Sequence, residues 1–380
     1  MIEDCLKNCF IGSIIARNIL ILVFITSSLP CIAQINKDGQ VISERSLMPY
    51  NLKRIARLTG RTQNGETLPN PNQTDKKYDI GGTDLGIAWD MGGGKMGFFF
   101  GDTYGSDFFQ VKEGGPGRAG NWRSNVLGIA SDLDPSDGIT FDTMVNKQII
   151  YSSHVTDGTG SHTAIPTAAI HANGLDYVHY MDVRHWGSAG WWKTNYSGLY
   201  ESRDAGRTWK QRKEIRFNGN SNFSQVGYAR KDDYIYMAGT QSGRQGAIYL
   251  ARFKEKQILD QAAYQYWSKT KGWLENDECN ATPIIDDPAG ELSITYNYHY
   301  KKWIIGYMSE KSHALVMRDA TEITESWTEA KILVKSADYP GLYAPYILPV
   351  KQQADVLYFT MSMWWPYNVF IMKANLKVSN

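Results

Sequence analysis

One pattern recurs five times along the 380 residues and limits the fold more than any other feature. A run of small residues is followed by a turn and then by a strongly aromatic run. It appears at 82–89 then 96–100, at 164–170 then 175–183, and at 224–229 then 233–238. It returns at 281–285 then 291–298 and at 343–348 then 355–362. A further apolar run follows each pair, at 125–131, 198–202, 247–253, 303–308 and 369–374. Short runs bounded by Gly and Asp read as strands, and no long amphipathic helix competes with them. Units that start roughly 55–80 residues apart cannot bury their faces alone and must stack on their neighbours. The expected fold is therefore all-β, a five-bladed β-propeller whose small residues crowd the innermost strands around the axis.

Ser202-Arg203-Asp204-Ala205-Gly206-Arg207-Thr208-Trp209 supports this expectation, because it carries the S-x-D-x-G-x-T-W pattern of an Asp-box. Such a turn joins outer strands of a propeller blade. Asp204 is expected to bond the turn backbone and Trp209 to plug the space between blades.

Residues 1–33 read as an export signal. Lys7 and Arg17 precede an apolar run at 19–25 that is too short to span a bilayer, and Cys31 and Ala33 are small residues before Gln34. The mature chain is expected in the periplasm or at the cell surface. Lipid anchoring at Cys31 stays open, although Pro30 makes a poor lipid-attachment box. Residues 34–77 form a polar lead-in whose stretch 52–58 offers a strand to close the fold, and 78–380 form the propeller domain. A net charge of +1 without a basic block argues against nucleic-acid partners. The mature chain is expected as a monomer without stable membrane insertion, acting on a polysaccharide. Its 23 Tyr, 13 Phe and 12 Trp supply aromatic faces of the kind that stack on sugar rings.

The stretch Gly81–Asp102, GGTDLGIAWDMGGGKMGFFFGD, reads as a hairpin turning at Gly92–Gly94. Asp84 and Asp102 are symmetric about Gly93, so pairing across the turn brings both carboxylates to the open end. There, facing Cβ atoms lie about 5 Å apart. Small neighbours, Gly82, Thr83, Gly101 and Thr103, leave a floor that a ligand can approach. Two carboxylates so placed suit glycoside hydrolysis, which needs one protonated and one ionised carboxyl.

The combination GGTDLGIAWD, FFFGDTYG and Asn121-Trp122-Arg123-Ser124-Asn125 resembles the family long called domain of unknown function 4185. Part of that family is classed as glycoside hydrolase family 183, the endo-D-arabinofuranases. The resemblance covers roughly 78–376 and is sharpest over 81–131. It implies a five-bladed propeller that cleaves internal α-D-arabinofuranosyl linkages, as in arabinogalactan and lipoarabinomannan. The family's paired acids map onto Asp84 and Asp102. By analogy with other five-bladed furanosidases the expected mechanism is inverting, with Asp84 as base and Asp102 as acid; the reverse assignment and a retaining mechanism stay open.

Candidate substrate-binding residues come from the same end of each blade: Arg123 and Asn125, His162, Asp182 as a third carboxylate, Asn280 and Tyr343. Trp186 and Trp191, in the Gly-rich loop 185–192, and Trp364, beside Trp365, are candidate sugar platforms. No cofactor or metal is expected, since zinc-type Cys/His spacing and nucleotide-binding glycine motifs are absent. Two other functions compete. A sialidase-like exo-glycosidase would need an arginine triad, which the candidate inner strands do not carry. A non-catalytic carbohydrate-binding propeller would keep the aromatic platforms and need no acid pair.

Overall fold

The computed structural model describes residues 45–116, 120–350 and 355–379, nearly all of them within the compact unit Ser46–Ser379. The export signal and the Cys31 anchor lie outside the described residues. Strand β1 is Leu47–Arg57. Four antiparallel strands follow: β2 (Leu85–Gly92), β3 (Lys95–Phe100), β4 (Val126–Ala130) and β5 (Thr143–Val145). The second sheet is β6 (Thr163–Ala172), β7 (Leu175–Trp186), β8 (Trp192–Ser202) and β9 (Lys210–Asn218).

A nine-stranded sheet comes next. It contains two meanders, linked where β12 meets β15 through Gly246↔Ala289 and Ile248↔Ile285. The first is β10 (Gln225–Lys231), β11 (Tyr234–Thr240), β12 (Gly246–Lys254), β13 (Gln265–Ser268) and β14 (Gly272–Glu275). The second is β15 (Ile285–Asn297), β16 (Lys302–Ser309), β17 (Ala314–Ala320) and β18 (Lys331–Lys335). The chain ends with β19 (Leu342–Ile347), β20 (Val356–Met363) and β21 (Asn368–Val378). The N-terminal β1 completes this last sheet by pairing antiparallel with β21, from Leu47↔Val378 to Arg57↔Phe370.

The leading strands pack on one another in a closed cycle, β2 on β6, β6 on β10, β10 on β15, β15 on β19 and β19 back on β2. Small side chains at Ala168, Ala169, Ala229, Ala289 and Ala344 are buried there, as expected where strands converge. The fold is all-β and propeller-like.

The Asp-box joins β8 to β9. Asp204 accepts from the Thr208 backbone at 2.8 Å and its hydroxyl at 2.6 Å, and the Trp209 indole donates to Gly206 O at 3.0 Å. The Trp209 ring then stands edge-on to Phe99 (5.1 Å between centroids) and Trp89 (6.4 Å), filling the seam between the first two sheets.

One part of the repeat is displaced. Of the runs expected as the first and second strands of the fourth unit, 281–285 meets strand β15 only at its last residue, and 291–298 falls mainly on that same strand. The intervening Asp286-Asp287-Pro288-Ala289-Gly290 resembles a turn in sequence. Asp287 is instead buried and satisfied by the Tyr307 hydroxyl (2.7 Å) and Arg318 (3.2 Å), so the chain continues as strand with a bulge between Ala289 and Leu292. The run at 303–308, expected as the strand after this pair, is consequently the second strand of this meander.

Candidate active site

The hairpin β2–β3 pairs Leu85 with Phe100, so Asp84 and Asp102 emerge together from its open end, at the same mouth of the strand cycle. The ladder persists past the strands, with Gly101 N–H donating to Asp84 O at 3.2 Å. Gly101 is required there because a Cβ on it would lie 2.4 Å from Asp84 Oδ1. Both carboxylates face a cavity of about 680 Å³.

Asp84 accepts a hydrogen bond from the Tyr343 hydroxyl at 2.9 Å through Oδ2, while its buried Oδ1 has no partner among the described residues. Burial, reinforced by the Asp102 charge, pushes its pKa up to about 8, against the lowering effect of the Tyr343 and Tyr367 hydroxyls. Asp102 accepts from the Thr163 hydroxyl (2.6 Å) and the Trp122 indole (2.8 Å), both on Oδ1. Burial raises it to about 6, against the lowering effect of these two donors and without the neighbouring carboxylate charge that adds to the rise at Asp84. Two donors favour the ionised form at each aspartate, so what separates them is the carboxylate charge that Asp84 feels from Asp102 and Glu291, and near neutrality one is protonated and the other ionised.

The backbone beside Asp84 and Tyr343 is strained. Leu85 and Ala344, the residues that follow each of them, adopt positive φ of 70° and 55°. That conformation carries a steric cost for residues with side chains, and such outliers persist where packing over-determines them. Here both are fully packed, with 4% and 0% exposure. They fix the directions of the carboxyl and the phenol that meet in the cavity.

A second acid cluster lines the same cavity. Arg244 forms a fork to Glu291, 2.9 and 3.1 Å, and reaches Glu310 at 3.2 Å. Its guanidinium lies 5.5 Å from the Tyr343 ring centre, and its backbone N–H donates to Gly190 O at 3.0 Å, which pins the tryptophan loop to this wall. With two carboxylates on one guanidinium, and Asp102 ionised, the cavity carries an excess of negative charge.

Of the residues expected to bind substrate, Trp186, Trp191, Tyr343 and Trp364 line the cavity with the aspartates. Trp191 and Trp364 are 56% and 45% exposed, which leaves open ring faces at the rim. The others lie outside the lining. Arg123 donates to Asn146 O (2.7 Å) and Asp79 O (2.8 Å), tying down the loop that carries Trp122. Buried Asn125 bonds Ile150 and Ala164 and joins the first two sheets. His162 stands behind Trp122, 5.8 Å between ring centres. Asp182 sits within β7 rather than at its end and accepts from Asn195 at 2.7 Å. Asn280 is exposed after β14 and bonds Asp277 and Lys271, because the strand expected to follow it begins later, at Ile285.

Glu291, Arg244, Glu310, Trp122, Thr163 and Tyr367 are absent from the residues expected on sequence grounds. Only Trp122 carries a signal, as the residue inside the Asn121–Asn125 motif. The rest converge from segments far apart in the sequence.

The sequence matches the family described as "Domain of unknown function (DUF4185)" over residues 69–373. The chain belongs to that family. It is also similar to Notoamide biosynthesis cluster protein J of Aspergillus sp. (strain MF297-2), 27% identical over 319 residues, covering 77% of this chain and 82% of the relative. Protein J' of Aspergillus versicolor is 26% identical over 317 residues, with coverage of 77% and 83%. Among solved structures, Zg3597, a family 117 glycoside hydrolase from Zobellia galactanivorans, superposes with a TM-score of 0.50 at 11% identity. That match covers 87% of this chain and 90% of the other, and it speaks to the fold.

Proposed function

We propose that this DUF4185 chain is a glycoside hydrolase built on a five-bladed propeller, with Asp84 and Asp102 as its carboxyl pair. The observation that carries the proposal is the pair itself: half-buried Asp84 and buried Asp102 at one end of a hairpin, facing a cavity rimmed by tryptophans, with pKa values pushed apart to about 8 and about 6. The blade count rests on the closed cycle of five leading strands.

The donors suggest the roles. Near neutrality Asp84 holds a proton and acts as general acid on the leaving glycosidic oxygen, with Tyr343 fixing its orientation. Asp102 is ionised and acts as base for water, held by Thr163 and Trp122. This reverses the assignment expected from sequence, because Asp84 is pushed up to about 8 and Asp102 only to about 6. We take the stereochemistry as inverting, which requires room for a water between carboxyl and sugar; proton NMR of the first-formed anomer tests it.

The substrate class we propose is an arabinan-type polysaccharide with internal α-D-arabinofuranosyl linkages, as the family resemblance implies, met by an exported enzyme. The excess negative charge in the cavity favours a neutral glycan. It also disfavours a sialidase-like reaction, since Arg244, the one arginine in the described lining, is already bound by Glu291 and Glu310. The experiment is incubation of the full chain with mycobacterial arabinogalactan and lipoarabinomannan. Short arabino-oligosaccharides are the expected product. Retention of intact polymer without cleavage would favour a carbohydrate-binding propeller instead.

A further inference from the structure

A second groove, about 780 Å³ in volume, lies beside the closing strand β1. Arg54, Gln63, Asn64, Tyr339 and Trp365 are among its lining residues. It is separated from the cavity that holds the aspartates by one tight turn. Met363 and Trp365 line the groove, while Trp364 between them lines the cavity. The two sites therefore share a wall made of consecutive residues between β20 and β21. Both tryptophans of this wall present open faces, 45% exposed at Trp364 and 49% at Trp365.

The polar groups of the groove are not all engaged by the fold. Arg57, which also lines it, is held by Glu66 (3.0 Å) and Asn368 (2.8 Å). Arg54 differs. Its guanidinium stands 4.8 Å from the centre of the Phe370 ring and 5.4 Å from Tyr339, and its hydrogen bond is a weak one to Met363 Sδ at 3.7 Å. No carboxylate pairs with it among the described residues. The rings hold the guanidinium in place, while N–H donors without strong acceptors remain. An aromatic face next to fixed donors suits a sugar ring, whose C–H face stacks and whose hydroxyls accept.

We propose that this groove binds a neutral glycan strand, as a distal continuation of the polymer whose scissile bond lies over Asp84 and Asp102. The inference rests on the glycosidase reading of the cavity. We take the strand as neutral because the same polymer also passes Asp102, Glu291 and Glu310 in the cavity. The groove thus selects long chains over short ones and positions an internal linkage at the cleavage point.

The test uses the full chain with arabinogalactan as the polymer and a short arabino-oligosaccharide as the small substrate. Polymer binding is read by affinity electrophoresis and cleavage by reducing-end release. Trp365→Ala and Arg54→Ala are each expected to weaken polymer binding about tenfold, the loss of one stacking or charged contact worth roughly 1.4 kcal/mol. The KM for the short substrate stays within twofold, and Trp365→Phe restores polymer binding. Unchanged polymer affinity in both alanine variants overturns the proposal. So does an equal loss on short and long substrates, which would indicate a disturbed cavity. Competition by inorganic phosphate without any effect of neutral polymer overturns the neutral-glycan assignment. If the wild type binds polymer through Trp365 but cleaves nothing, the groove stands and the glycosidase reading falls.

Discussion

Replacing Asp84 by Asn should stabilise the protein, and increasingly so as the pH rises. The folded protein holds this carboxyl in a buried site that raises its pKa from 3.8 to about 8. An unfolded chain releases the proton near pH 4, whereas the folded chain retains it to about pH 8. Stability from this group is therefore fully present below pH 4 and is lost progressively as the pH climbs through the folded value. Four units at about 1.4 kcal/mol each give an upper bound of roughly 5–6 kcal/mol, of which roughly 4 kcal/mol falls between pH 5 and pH 9. Asn has nearly the same shape, can still accept from Tyr343, and carries no charge to desolvate. Asp102 is present in both proteins, so its own titration cancels to first order. Urea unfolding of wild type and Asp84→Asn at pH 5, 7 and 9 checks this, with the stability gap widening toward pH 9 by a few kcal/mol in favour of the variant. A gap that stays constant across that range, or that favours wild type more as the pH rises, would refute the claim that the carboxyl is held in a desolvated site.

Three other outcomes are expected from the same geometry. Tyr343→Phe removes a donor that favours ionised Asp84, so the alkaline limb of the kcat/KM profile should move up by about one unit, a charged hydrogen bond being worth roughly 1.5–3 kcal/mol; a downward move contradicts the hydrogen bond. Gly101→Ala places a methyl 2.4 Å from Asp84 Oδ1 and should cut kcat at least tenfold while secondary structure by circular dichroism is retained. Trp209→Ala empties the seam against Phe99 and Trp89 and should cost about 3 kcal/mol in urea unfolding, yet leave activity per folded molecule unchanged.

Much of the fold is legible in the sequence because its repeat is written in residue size. Alanines and glycines mark strands that crowd together, and aromatic runs mark those that follow. The hairpin holding the aspartates can be read from its glycine turn alone, since register fixes what meets across it. The fourth meander misleads because Asp286–Gly290 has turn composition, while the partners that hold it extended, Tyr307 and Arg318, are 20 and 31 residues from Asp287. The same distance effect hides the second acid cluster. Glu291 and Glu310 reach Arg244 across separations of 47 and 66 residues, and nothing local to Arg244 marks it as their common partner. Spacing identifies which carboxylates meet, but which of them keeps its proton depends on groups contributed by other segments, Thr163 and Trp122 at Asp102 and Tyr343 and the Glu291 charge at Asp84.

Whether Asp84 and Asp102 perform hydrolysis together is decided by product analysis on mycobacterial arabinogalactan with wild type, Asp84→Asn and Asp102→Asn, each shown to be folded. Wild type is expected to release short arabino-oligosaccharides, and each variant to lose at least a hundredfold in rate. Undiminished cleavage by both variants would contradict the shared role of the two carboxyls.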